Sequence, residues 1–192
     1  MAQKPSSELT YEVHGPDRAQ RCRELIIYIA EKCAQAEFFG SVKLNKILFH
    51  SDMRSFRKYG QPITGMKYQK LEHGPAPVGI KPLEEKMVEK KEITIRQEIK
   101  HGRTQNRAIP LRSAKLTLFS GRDIAIVDEV IHDLWGKTAT QVSLDSHGIQ
   151  WKTRALEDYI PYEAAYLSDE PITPADIERT TVLASKYGWA SQ

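Results

Sequence analysis

The chain has little cysteine, few aromatic residues and no long apolar run. Only Cys22 and Cys33 occur among 192 residues. They fall on one expected helix, and at about 1.5 Å per residue they stand roughly 16 Å apart, beyond disulfide reach. Both sit on its apolar face, so they read as core thiols of a chain expected in a reducing cytoplasm. Without paired C-x-x-C motifs the strong zinc patterns are excluded. The longest apolar candidate, Leu25-Ile26-Ile27-Tyr28-Ile29-Ala30, is far short of the roughly 18 residues that span a bilayer. The opening Met1-Ala2-Gln3-Lys4-Pro5 lacks the apolar core of a secretory signal. Catalytic signatures are equally scarce: there is no G-x-S-x-G elbow, Walker-type loop, dinucleotide glycine pattern or H-E-x-x-H helix.

Charge is abundant but nearly balanced. Lys and Arg total 28 against 25 Asp and Glu, a net +3, which is too small to imply a nucleic-acid partner. The distribution says more. Between Ile99 and Arg122 there are six basic residues and no acidic one, whereas from Asp145 onward eight acidic residues face four basic ones. Such asymmetry steers a partner of mixed charge, or simply guards exposed strand edges against mispairing.

Residues 1–15 mix Pro, Ser, Glu and Gly and read as a flexible arm. Asp17 with Gln20 three residues on offers a capping box. Cys22, Leu25, Ile26, Ile29, Ala30, Cys33 and Ala36 then form the stripe of a buried helix face. A second helix follows Gly40-Ser41. Leu44, Ile47, Leu48, Ser51, Phe56 and Tyr59 mark its apolar side, Lys43, Lys46, Arg54, Arg57 and Lys58 its other side, and Gly60 its end. Met66 to Leu71 reads as extended. His73-Gly74-Pro75-Ala76-Pro77 is excluded from helix and from a central strand. A third helix is expected from about Val78 to Lys90. Ile93, Ile95, Gln97 and Ile99 alternate as a half-buried strand does, with a turn at His101-Gly102 or Gln105-Asn106 and a return over 107–111. Ser120 with Asp123 and Thr138 with Gln141 cap two more helices, and Pro174 opens a last one after Thr173. The sum is an α+β fold, a predominantly helical single domain with a small antiparallel sheet or hairpin. Its expected divisions are the arm, a domain over 16–170 and a helical extension over 171–192.

Few residue groups suggest chemistry. Asp128 and His132, four apart on a helix, form either a surface pair or part of a metal site short of the usual ligand number. His147 beside Ser146, with Asp145 or Asp128, is the nearest approach to a hydrolytic set, but adjacency in sequence does not make a triad, and a histidine ending a helix commonly serves as a cap. No catalytic residue, metal or cofactor is assigned. Tyr68, Trp151, Tyr159 and Tyr162 either fill the core or anchor a partner, and Arg103, Arg107 and Arg112 supply steering charge.

Two stretches read together resemble a known family. The first is Lys43-Leu44-Asn45-Lys46-Ile47-Leu48-Phe49-His50-Ser51-Asp52, then Tyr59-Gly60-Gln61-Pro62-Ile63-Thr64-Gly65, Tyr68-Gln69-Lys70-Leu71 and His73-Gly74-Pro75-Ala76-Pro77. The second is Ile126-Val127-Asp128-Glu129-Val130, then Thr138-Ala139-Thr140-Gln141-Val142-Ser143, Ser146-His147 and Trp151. Over roughly Leu25 to Tyr166 this succession resembles the Panacea domain of SocA-like antitoxins. The resemblance implies a non-enzymatic protein that binds and neutralises a toxin encoded beside it, in some members by delivering the toxin to a ClpXP-type protease. Gly74, Pro75, His147 and Trp151 match its pattern, serving either the fold or the partner. The rival readings are a nucleic-acid-binding regulator, motivated by the basic middle stretch, and a histidine-dependent hydrolase.

Overall fold

A computed structural model describes residues 9–15, 17–100, 102–167 and 173–187. The order is α1 (Arg18–Lys32), α2 (Ser41–Tyr59), β1 (Tyr68–Leu71), β2 (Gly74–Pro77), α3 (Ile80–Glu89), β3 (Ile93–Lys100), β4 (Arg103–Pro110), α4 (Gly121–Leu134), α5 (Ala139–Asp145), α6 (Ile149–Lys152), β5 (Tyr159–Ile160) and α7 (Pro174–Tyr187). Short 3-10 turns cover Leu116–Leu118 and Tyr162–Tyr166. The molecule is α+β and mainly helical, as the periodicities require.

The centre is α2. It touches α1, α4, α5, β2, β4 and the turn at Tyr162–Tyr166. A helix enclosed on several sides cannot keep a polar face in water, and this overturns one sequence expectation. Lys43 and Lys46, assigned to the solvent side, are buried beside Leu44, Ile47 and Leu48. Each spends its ammonium on a backbone carbonyl. Lys43 Nζ donates to Trp135 O at 3.1 Å, at the C-terminal end of α4, where the helix dipole favours a cation. Lys46 Nζ donates to Pro75 O at 2.8 Å. Burial lowers both, Lys43 to about 8 and Lys46 to about 7.

The main core joins the apolar stripes of α1, α2 and α4 with Met87 of α3, Ile93 of β3 and Val142 of α5. Cys22 and Cys33 lie in it as free, buried thiols. Ser120 and Thr138 close the expected capping boxes with Asp123 and Gln141. Asp17 makes no side-chain cap, so that part of the sequence reading fails; the α1 start is held instead by Arg18 on Glu12. Gly60 ends α2 at φ 71°, a left-handed position suited to glycine.

A second cluster of Phe49, Met53, Tyr68, Ile160, Tyr162, Ala164 and Ala165 sits under a three-stranded antiparallel sheet in the order β2-β1-β5. The proline-bearing strand β2 is at its edge, where missing amide donors cost no ladder bonds. The described part of the N-terminal arm is hydrogen-bonded to the domain. Val13 N donates to Gly65 O, Tyr162 N to Thr10 O, and Thr10 N to Glu163 Oε2. Residues 10–13 therefore bind across the domain, while 1–8 lie outside the described residues.

The longest ladder belongs to β3 and β4, which pair from Ile93↔Pro110 to Lys100↔Arg103. The turn thus includes Gly102, and Gln105-Asn106 lie within the strand. His101 and the Arg103 side chain lie outside the described residues. Alternation in β3 does not produce the expected half-burial, because only Ile93 is buried.

Candidate partner-binding surface

The residues that carry the sequence signal divide into an interior set and a surface set. The interior set centres on Asp52, a carboxylate without solvent exposure on the core side of α2. It accepts from Thr64 N at 2.7 Å, from Thr64 Oγ1, from Tyr68 Oη at 2.9 Å and from Tyr162 Oη at 3.2 Å. Tyr162 Oη also lies 2.6 Å from Met66 O. Burial raises the Asp52 carboxyl against the opposing pull of these donors. It raises the Tyr68 and Tyr162 phenols as well, with Asp52 adding to the effect. One acidic side chain therefore ties α2 to the turn before β1, to β1 and to the segment after β5.

This placement removes Tyr68 and Tyr162 from the partner-contacting surface expected of them. Both rings are fully buried and spend their hydroxyls internally. Arg107 is corrected in the same way. It is buried, and its guanidinium donates to Ala36 O at 2.9 Å, Cys33 O at 2.7 Å and Ala34 O at 2.6 Å, closing the loop after α1. Arg112 is engaged by Glu24, at 2.7 and 2.8 Å, and by Glu92 at 2.8 Å. Burial pushes the Glu24 carboxyl up, but Arg112 and the Lys115 amide together hold it below its usual range. Two of the six basic residues of the middle stretch are thus spent inside the fold, which weakens the case for a nucleic-acid surface there.

Gly74 and Pro75 also serve the fold. Gly74 has φ 88°, and a Cβ there would meet Ser146 Oγ and stand 2.7 Å from Lys46 Cε. The carbonyl of Pro75 is the one that holds Lys46. His147 stacks on Trp151 with ring centroids 3.8 Å apart and planes 11° apart. Its Nε2 is buried without a hydrogen-bond partner. Burial, then Lys46, Lys70 and His73, lowers the imidazole, which favours its neutral form. The carboxylates considered as its helpers act elsewhere: Asp145 pairs with Lys137 at 2.8 Å, and Asp128 accepts from Tyr28 Oη at 2.7 Å. Among the described residues, no three His, Cys, Asp or Glu side chains group as metal ligands do, Asp128 and His132 included.

What reaches the surface is a line of rings and cations beside β1 and β5. Trp151 anchors through Nε1 to Leu71 O at 3.1 Å, and Lys70 Nζ stands 3.7 Å from its ring centroid. Tyr159, 45% exposed, meets Tyr11 edge-on at 6.3 Å and carries Lys67 Nζ 4.6 Å from its centroid. Amphipathic rings with adjacent cations on a rigid sheet are the chemistry of protein-binding hot spots. Sequence reasoning marked Trp151 and Tyr159 but missed Lys67, Lys70 and Tyr11, which only the β1–β5 pairing brings together. It also missed the Asp52 node, although an acid at position 52, one turn beyond Leu48 and one before Phe56, was a visible irregularity in the apolar stripe.

No described helix is long and apolar enough to cross a membrane. Comparison with curated proteins and with solved structures finds no match to this chain. A family model, "Antitoxin SocA-like, Panacea domain", matches residues 44–152. That span runs from α2 to the end of α6 and holds Asp52, the H-G-P turn and the His147–Trp151 stack. The chain belongs to the SocA-like antitoxin, Panacea-domain family.

Proposed function

We propose that the chain neutralises a protein toxin by gripping it directly, with no bond made or broken by the chain itself. The observation that carries this reading is the family match across the middle of the domain. The ring-and-cation line of Trp151, Tyr159, Lys67 and Lys70 supports it as a contact surface. The groups that suggested acid–base work are committed to the fold or to other partners, as His147, Asp145 and Asp128 show. A stable grip needs an interface of roughly 1,200–2,000 Å² with a few well-packed anchors.

Co-expression with the product of the adjacent gene tests this. The expected result is relief of growth arrest together with a complex that co-purifies. Persistent arrest beside well-folded protein overturns the reading. A pulse-chase of the toxin with and without a ClpXP-type protease then separates sequestration, which leaves toxin levels constant, from adaptor-driven degradation, which shortens toxin lifetime only when the protease is present.

A further inference from the structure

The hairpin of β3 and β4 has two unlike faces. Ile95 stands opposite Ala108, Gln97 opposite Asn106 and Ile99 opposite Thr104, so these side chains share one face. The other face carries Arg107 and Gln105, which are fastened to the α1–α2 loop through the carbonyls of residues 33, 34, 36 and 39. One end of this face enters the core, where Ile93 and Ala108 are buried, and the other end emerges from it: Ile95 is 40% exposed and Ile99 79%. An alternating apolar row is what a covered strand has, and within the chain only Ile93 is covered.

Opposite this row stands α3. A cleft of 620 Å³ opens between them, with Leu44 of α2 in its floor, Ile95 on one wall and Val88 with Glu84, Glu85 and Glu89 on the other. Val88 is itself 40% exposed. Lys81 is the one cation in the lining. Among the described residues none of the three glutamates forms an ion pair. Burial raises the Glu84 carboxyl against the pull of Lys81; three glutamates against one lysine still leave an acidic wall, and an apolar cleft of that kind selects a ligand with apolar anchors and cationic flanks.

We propose that this cleft receives the toxin, through a segment whose apolar side chains alternate with lysine or arginine. The inference rests on the antitoxin reading and adds to it the chemistry of the bound segment. Ile95 and Val88 supply the buried contact, and the α3 glutamates set register and association rate.

The test uses the full chain and the adjacent gene's product, with affinity measured by calorimetry on purified proteins. Two variants at exposed positions, Ile95→Asp and the pair Glu85→Lys with Glu89→Lys, are checked for unchanged melting. Ile95→Asp is expected to weaken the complex about tenfold or more, as loss of an interface anchor does. The paired charge reversal is expected to weaken it at low salt, with the difference shrinking at about 1 M salt. Wild-type affinity in both variants overturns the proposal and leaves the antitoxin reading standing. A self-dimer that Ile95→Asp dissolves without affecting toxin affinity also overturns it, since the occupant is then a second copy. Failure of the wild-type chain to bind at all removes the antitoxin reading and this inference together.

Discussion

Asp52 shows how much a single buried acid can organise. Its carboxylate holds Thr64, Tyr68 and Tyr162, groups far apart in sequence, at one point. Asp52→Ala orphans several buried donors at once and is expected to cost about 3 kcal/mol in urea unfolding. Tyr68→Phe should cost about 1 kcal/mol alone and clearly less in the Asp52→Ala background, because the two changes remove one interaction. Additive losses would show that the tyrosine acts through packing. Lys46 gives a prediction in pH. With its ammonium lowered to about 7 in the folded chain from an ordinary 10.5, both states carry the charge below 7 and the burial penalty is complete there. Between about 7 and 10.5 the folded chain has released the proton and the unfolded chain has not, so stability contributed at this site rises with pH. The stability of wild type relative to Lys46→Met should therefore improve from about pH 6, roughly a unit below that window, to about pH 9, well inside it. A gap independent of pH would show that Lys46 titrates alike in both states.

Elements were more legible than their surroundings. The stripes of α1 and α4, the Ser120 and Thr138 caps and the turn at Gly102 follow from local chemistry, and the fold has them. Periodicity tells two sides of an element apart but not what covers either. Lys43 and Lys46 were misplaced because α2 is enclosed by several neighbours, and a long side chain can enter a core when a carbonyl waits for its ammonium. Ile95 and Ile99 were misplaced for the converse reason: only the Ile93–Ala108 end of their face enters the core, and Arg107, on the opposite face, is buried as well. Removing it should free the hairpin. Arg107→Met leaves three carbonyls of the loop after α1 without their donor and is expected to cost about 2–3 kcal/mol. Hydrogen exchange should show β3 and β4 amides losing protection ahead of α2. Uniform loss across the molecule would mean that the hairpin does not open separately.

For the whole molecule, the proposed contact surface was only half visible in the sequence. Trp151 and Tyr159 could be marked by residue type, whereas Lys67, Lys70 and Tyr11 join them only through the pairing of β1 with β5. The acid at position 52 stood out in the apolar stripe, but its partners Thr64 and Tyr162 come from segments with no periodic signal. Apart from half-buried Ala184, the described side chains of α7 are exposed. A chain ending at Leu167 should therefore melt as the full chain does. One ending at Asp158 loses Ile160 and Tyr162 from the second cluster and should lack a cooperative melt. Equal melting of both truncations would remove the structural role assigned to Tyr162.

The tether from Asp52 to Tyr162 also bears on synthesis. While the chain emerges from the ribosome, Asp52 finds Thr64 and Tyr68 early but waits for its last donor, a phenol more than a hundred positions downstream. A product terminated before Tyr159 lacks that donor and leaves its aromatic cluster open, the kind of species that cellular proteases clear. Only a completed chain therefore closes the second cluster over α2.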